Sequence, residues 1–406
     1  MSAPDLPPSD SSQPTPIPDE PRAGRFDALK SRVLPRVAPV LAFMQRHPRA
    51  IALFSFGSGV ASFFLVNRQK NSAGLLAIVL LVSWLWLMLE NLVTKKIARR
   101  FGLEIPPALL RYGTQMIHQE SLFFVLPFFF VTTTWNSGQS LFTGLLVGAA
   151  LMSIIDPVYN HWLAVRRLAY MAFHTLALFA VMLTALPVIL HLTTDETYRY
   201  ATAATVVLAI PTLFRLVPEG GKWQGLLRFV LMIAVLAGGL WAGRQWVPPA
   251  TLWLTDVHVT FALDGSQRTP GAGIKTLTEA QLHQQGLYAY TAIRAPRGLG
   301  EQVFHVWLHE GQEVDRIPLK IRGGREKGYR TWSHKTNFPE QVTGDWQIRV
   351  VTEGGQLIGV VRFNVTPGAM VPVDRIPQAS DEIAAPPAAD SADILLKDPA
   401  GTTINP

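Results

Sequence analysis

The stretch 222–246, KWQGLLRFVLMIAVLAGGLWAGRQW, constrains this chain more than any other, because a membrane-like half precedes it and a β-like half follows. Between Leu226 and Trp241 only Arg228 is charged, and the run is long enough to cross a hydrocarbon core with Trp223 and Trp246 at the headgroups. Beyond it Val257, Val259, Phe261 and Leu263 fall on alternate positions, the period of a strand with one buried face. The expected fold is therefore an α-helical transmembrane bundle joined by this helix to an all-β domain.

Upstream, apolar runs at 50–66, 73–93, 115–135, 141–155, 168–190 and 200–217 bring the count to about seven spans. An apolar fraction of 49% over 406 residues, with 11 Trp and 21 Phe, places the chain in the membrane class. Lys95, Lys96, Arg99 and Arg100 form the densest basic cluster beside a span, which the positive-inside rule puts in the cytoplasm. Starting inside, seven crossings also leave Arg166, Arg167, Arg215 and Lys222 inside and deliver the β domain to the periplasm of a bacterial inner membrane. The net charge of +7 sits mostly beside these runs, which argues for a lipid bilayer as partner and against nucleic acid. There is no cysteine, so disulfides and Cys-based metal or redox sites are excluded. No cofactor motif is present.

The expected organisation is a disordered 1–25, a membrane domain over 26–246, a β domain over 252–366 and a disordered tail over 367–406. Seven alternating runs, at 252–263, 287–293, 303–309, 314–321, 329–333, 346–351 and 357–365, predict an immunoglobulin-like sandwich. Its core would rest on Trp307, Trp332, Trp346, Phe304 and Phe363. Turn chemistry separates the strands, as at Glu353-Gly354-Gly355-Gln356.

Candidate sites fall in both halves. Glu90, Asn91, His118, Glu120, Asp156 and His161 all lie at the cytoplasmic helix ends, and ionisable groups at membrane depth carry a functional expectation. His174, two turns into the fifth run, is the deepest. The bland alternative is that they sit among headgroups or pack, since His118 and Glu120 face different sides of a helix and nothing matches His-Glu-x-x-His. In the β half, His305 and His309 share a strand face about 13 Å apart, too far for one metal, and are expected at the surface. Ser333 and Lys335 have the types of a nucleophile pair, without an accompanying oxyanion motif. Arg294, Arg297, Lys320, Arg322, Arg325, Lys327, Arg330 and Lys335 together suggest a basic surface for an anionic envelope lipid or glycan. Arg330 equally suits holding a turn through backbone carbonyls.

The segments FHVWLHEGQEV, YRTWSHK and GDWQIRVVTEGGQLIGVVRFNV resemble the bacterial domain-of-unknown-function family numbered 2914. The resemblance covers about 286–365 through His305, Trp307, Arg330, Thr331, Trp332, Ser333, Lys335, Gly344, Trp346, Phe363 and Val365. The membrane half is similar to the companion family numbered 5924. The resemblance implies a proteobacterial envelope protein and supplies no activity. The reading is thus a non-enzymatic membrane protein whose sandwich binds or scaffolds an envelope component or a membrane-protein partner. The alternative is a transporter or membrane enzyme built on the polar cluster.

Overall fold

A computed structural model describes residues 77–85, 107–216, 222–296, 298–325 and 327–368, with isolated positions between 46 and 87. The expected disordered termini, the first span, the Lys95–Arg100 cluster, Glu90, Asn91 and Arg297 lie outside these residues.

The helical half contains α1 (Pro107–Thr132), α2 (Gln139–Ile154), a π-helical turn (Pro157–Leu163), α3 (Arg167–Leu190), α4 (Thr194–Leu216) and α5 (Lys222–Ala242), which tightens into a 3-10 turn at Gly243–Trp246. The apolar runs read from residue 115 onward therefore reappear as helices, with α1 and α4 starting earlier than expected. α3 closes on His191 in the left-handed conformation, φ 55°, its N–H bonded to the Pro187 carbonyl, which satisfies an end carbonyl that would otherwise be orphaned. Thr193 and Glu196 then bond reciprocally at the start of α4. One core unites the helices: Phe123, Phe128 and Phe129 of α1, Phe142 and Leu146 of α2, and Phe173 to Leu183 of α3, with Tyr198 of α4.

Seven spans were expected, but among the described residues only two helices, Arg167–Leu190 and Trp223–Trp246, are long and apolar enough to cross a membrane. A third is reached if Gln139–Ile154 and Pro157–Leu163, bent by 100°, form one broken span. α1 and α4 fall short of that composition because polar residues lie within them, Gln115, His118, Gln119 and Glu120 in α1 and Asp195, Glu196, Arg199 and Arg215 in α4.

The C-terminal half is all-β apart from one short helix. It contains β1 (Trp253–Thr260), β2 (Leu263–Asp264), β3 (Thr269–Pro270), β4 (Thr276–Thr278), α6 (Glu279–Gln285), β5 (Leu287–Arg294), β6 (Gly300–His309), β7 (Gln312–Arg322), β8 (Tyr329–Lys335), β9 (Gly344–Thr352) and β10 (Leu357–Thr366). A three-stranded sheet, β1-β5-β8, and a five-stranded sheet, β4-β10-β9-β6-β7, share a core. Val259, Leu287 and Ala289 from the first meet Trp307, Trp346, Ile348 and Phe363 from the second. All seven expected strands are present. Glu310 and Gly311 both take positive φ, as a two-residue hairpin between twisted strands requires. Trp332 and Phe304 are only partly buried, so the core rests on the other three aromatics. Trp346 is fully buried, stacked between His309 at 4.6 Å and Phe363 at 5.9 Å.

The two halves meet along a hydrogen-bonded seam. Gln139 Nε2 donates to the Leu357 carbonyl at 2.7 Å, and Gln356 Nε2 donates to the Val247 carbonyl at 2.9 Å. Thr194 N–H and Oγ1 both donate to Glu301 Oε2, at 2.7 and 2.9 Å. The seam thus gathers the start of α2, the α3–α4 turn and the end of α5, so successive helices alternate in direction. The opposite end holds the α2–α3 connection, the end of α4 and the start of α5, with Arg166 and Arg167 exposed.

Candidate functional site

In the helical half the sequence candidates separate into two small networks. His118 Nδ1 lies 2.9 Å from the Tyr159 hydroxyl, and its Nε2 lies 2.9 Å from His174 Nδ1. Both ring nitrogens of a fully buried imidazole are thereby engaged. Trp84 meets both histidine rings and donates its indole N–H to Ser121 Oγ at 2.8 Å. Next to this, Gln115 Nε2 donates to Asp156 Oδ1 at 2.7 Å, and Asn160 donates to Gln115 Oε1 at 3.3 Å. His161 is exposed and Glu120 is partly buried two residues along α1 from His118. The candidates do not converge on one point: His118 and His174 pair with each other, and Asp156 belongs to the second network. Among the described residues no group of three His, Cys, Asp or Glu is placed to hold a metal ion. Interhelical hydrogen bonds between polar side chains are a common way to fix helix packing where lipid supplies no hydrophobic drive.

In the sandwich, alternation along β8 sends Thr331, Ser333 and Lys335 inward and leaves Arg330 and Trp332 partly exposed and His334 exposed. His305, expected at the surface, is instead fully buried. It shares the inward parity of Val303 and Trp307, both also fully buried, so the strand period requires it to face the core. It reaches from the five-stranded sheet to the other: Nε2 lies 3.1 Å from Thr291 Oγ1 on β5, and Nδ1 lies 2.8 Å from Ser333 Oγ on β8. Burial pushes its pKa from the ordinary 6.5 down to about 3. Ser333 and Lys335 are not a nucleophile pair. Ser333 bonds His305, and Lys335 Nζ crosses to Asp315 Oδ2 on β7 at 2.7 Å. His305, Ser333 and Lys335, candidates for a sandwich surface, are thus cross-sheet ties, and of the four only Arg330 reaches the surface.

Arg330 Nη1 donates to the Gln267 carbonyl at 2.9 Å and so holds the β2–β3 hairpin against β8. Around it lies a groove of about 450 Å³ lined by Ser266, Gln267, Arg268, Arg325, Lys327, Gly328 and Arg330. The expected basic surface therefore contracts to three of its members. Lys320 and Arg322 lie on β7 in the other sheet, Arg294 packs over the Trp253 ring at 5.2 Å, and Lys335 is internal. Arg268 was missed by sequence reasoning, although Asp264-Gly265 is a hairpin signal that would have folded it back.

The seam is the other electrostatically distinctive place. Glu301 is 4% exposed, and its pKa is raised from 4.5 to about 7 by burial, against the two bonds from Thr194, with Glu353 and Asp195 pushing it further up. Asp195 is held by Arg244 at 2.5 Å, and that guanidinium also lies over the Tyr198 and Trp241 rings. A Cβ on Gly354 would displace the same guanidinium.

Fold and contacts define a class: an apolar helical half carrying a two-sheet β domain seated on one end. The chain belongs to a family of unknown function (DUF5924), whose model matches residues 30–289, and residues 300–365 match a second family, protein of unknown function (DUF2914). No curated protein and no solved structure matches the chain. The first match ends inside β5 and the second begins with β6, so the sandwich is assembled from both.

Proposed function

We propose that the protein is a multi-pass bacterial inner-membrane protein that presents its β domain to the periplasm as a binding or scaffolding surface for an envelope component or a protein partner. The observation that carries this reading is the seam. A domain tied to the helical half at three places by hydrogen bonds is held in one pose, which suits presentation rather than a tethered module on a loose linker. Further support comes from the helix surface. α5 exposes Leu226, Leu227, Val230, Leu231 and Val235, an apolar face that suits lipid. Exposed tryptophans mark both ends, Trp135, Trp241 and Trp246 by the seam and Trp162 and Trp223 opposite, the distribution expected of interfacial belts. Arg166 and Arg167 lie at the end away from the sandwich, the cytoplasmic end by the positive-inside rule.

We count seven crossings in this reading, with runs 50–66 and 73–93 added to five helices. α1 qualifies despite its polar turns because Gln115, His118 and Ser121 spend their polarity on interhelical bonds inside the core, not on lipid. The sandwich reads as immunoglobulin-like on strand number and size. Reporter fusions test the disposition. An alkaline phosphatase fused after Val365 is expected to be active and one fused within residues 95–100 inactive; an inactive C-terminal fusion overturns the reading.

A further inference from the structure

We propose that the groove between the β2–β3 hairpin and the β7–β8 loop is a binding site for a phosphate-class oxyanion, so that it supplies the ligand chemistry of the presentation reading on which it rests. Four cations, Arg268, Arg325, Lys327 and Arg330, line it, and no carboxylate is among the described lining residues. None of the four makes a salt bridge among the described residues. Two described acids on the same side of the sandwich, in the β2–β3 turn and on β1, are already committed. Asp264 Oδ1 accepts from Ser266 N–H, Ser266 Oγ and Gln267 N–H within its own turn, and Asp256 pairs with His258 at 2.7 Å. Gathering like charges around one concavity is unfavourable without a counter-charge, and such a concavity focuses potential toward a diffusing anion.

Two of the cations are also held in place before any ligand arrives. Arg330 is fixed by the Gln267 carbonyl, and the Arg325 guanidinium lies over the Tyr329 ring at 5.0 Å. Arg268 sits at φ 53°, a left-handed backbone that a non-glycine residue adopts at a cost, and this aims the turn residue toward the groove. Three guanidiniums favour a planar fork on paired oxygens, which phosphate offers. A groove of about 450 Å³ lined by polar groups suits a phosphate ester on a polar body rather than an apolar molecule. Thr255 Oγ1 lies 3.0 Å from both the Lys327 and the Ala292 carbonyls, its one proton shared between them, and so ties the loop to the start of β1. A lipid headgroup and a free phosphorylated glycan both carry this chemistry.

The test uses the full-length protein in phosphatidylcholine nanodiscs, titrated calorimetrically with inorganic pyrophosphate. The unaltered protein is expected to bind, more weakly as salt rises. Replacing Arg268 and Arg325 by Gln is expected to weaken binding roughly tenfold or more, since two charge-assisted contacts are lost. Lys320→Gln with Arg349→Gln removes the same charge from exposed positions on the five-stranded sheet and is expected to change affinity by less than about twofold. Arg325→Lys, which keeps charge and loses the fork, should fall between them and covers the case in which the double variant misfolds. Absence of binding, or equal losses in both double variants, overturns the site. Repeating the titration in nanodiscs containing phosphatidylglycerol separates the sources: competition assigns the groove to headgroups, and unchanged affinity assigns it to a soluble phosphate ester. A misplaced C-terminal reporter would overturn presentation and leave these affinities standing, so the two readings fail separately.

Discussion

At His305 the sandwich places a titratable ring where a core side chain is expected, and both of its nitrogens are used between sheets. The unfolded chain takes up a proton near pH 6.5 and the folded chain only near pH 3. This group's contribution to stability is therefore complete above pH 6.5 and is lost as pH falls toward 3. Thermal unfolding of the full-length protein across that range is expected to show this acid sensitivity, and His305→Gln is expected to flatten it; identical pH profiles would contradict the assignment. At neutral pH, Ser333→Ala leaves Nδ1 unpaired in the core and is expected to cost about 1–3 kcal/mol. The position of His305 was legible in its parity with Val303 and Trp307. What sequence could not supply was the partner, because Ser333 and Thr291 come from strands 28 and 14 residues away.

At the scale of elements, the strand β8 shows how one motif serves two ends. Its inward residues tie the sheets together, while Arg330 anchors the hairpin that brings Arg268 to the groove. The strands themselves were readable from period and turn residues. The capping box on α6, with Thr278 and Gln281 bonding reciprocally, was equally available as a Thr-x-x-Gln signal. The seam was not readable, because its contacts join residues more than 100 positions apart, such as Thr194 and Glu301. Its pH behaviour runs opposite to that of His305. Glu301 ordinarily titrates near 4.5 but near 7 in the fold, so its contribution is complete below pH 4.5 and is lost as pH rises through 7. Glu301→Gln is expected to remove that loss on rising pH while keeping an acceptor for Thr194. Following exchange of the Thr194 amide against pH would register it, and an unchanged profile in the variant would show that Glu301 does not set it.

For the whole molecule, the division into an apolar helical half and a β half was already visible at 222–246, since a continuous apolar run and a two-residue alternation cannot belong to one kind of element. The number of helices apolar enough to span a membrane was harder to read, because helices such as α1 turn polar residues toward partners inside the bundle and lose apolar composition. The central claim is that the sandwich and the Arg166–Arg167 end lie on opposite sides of a bilayer. The chain's lack of cysteine makes this directly measurable, since any introduced thiol is unique. Lys320→Cys, exposed on β7, and Val165→Cys, 71% exposed at the opposite end, can each be treated in spheroplasts with a maleimide that cannot cross the inner membrane. The account predicts labelling of Lys320→Cys in intact spheroplasts and of Val165→Cys only after permeabilisation; both labelled in intact spheroplasts, or the reverse order, would contradict it.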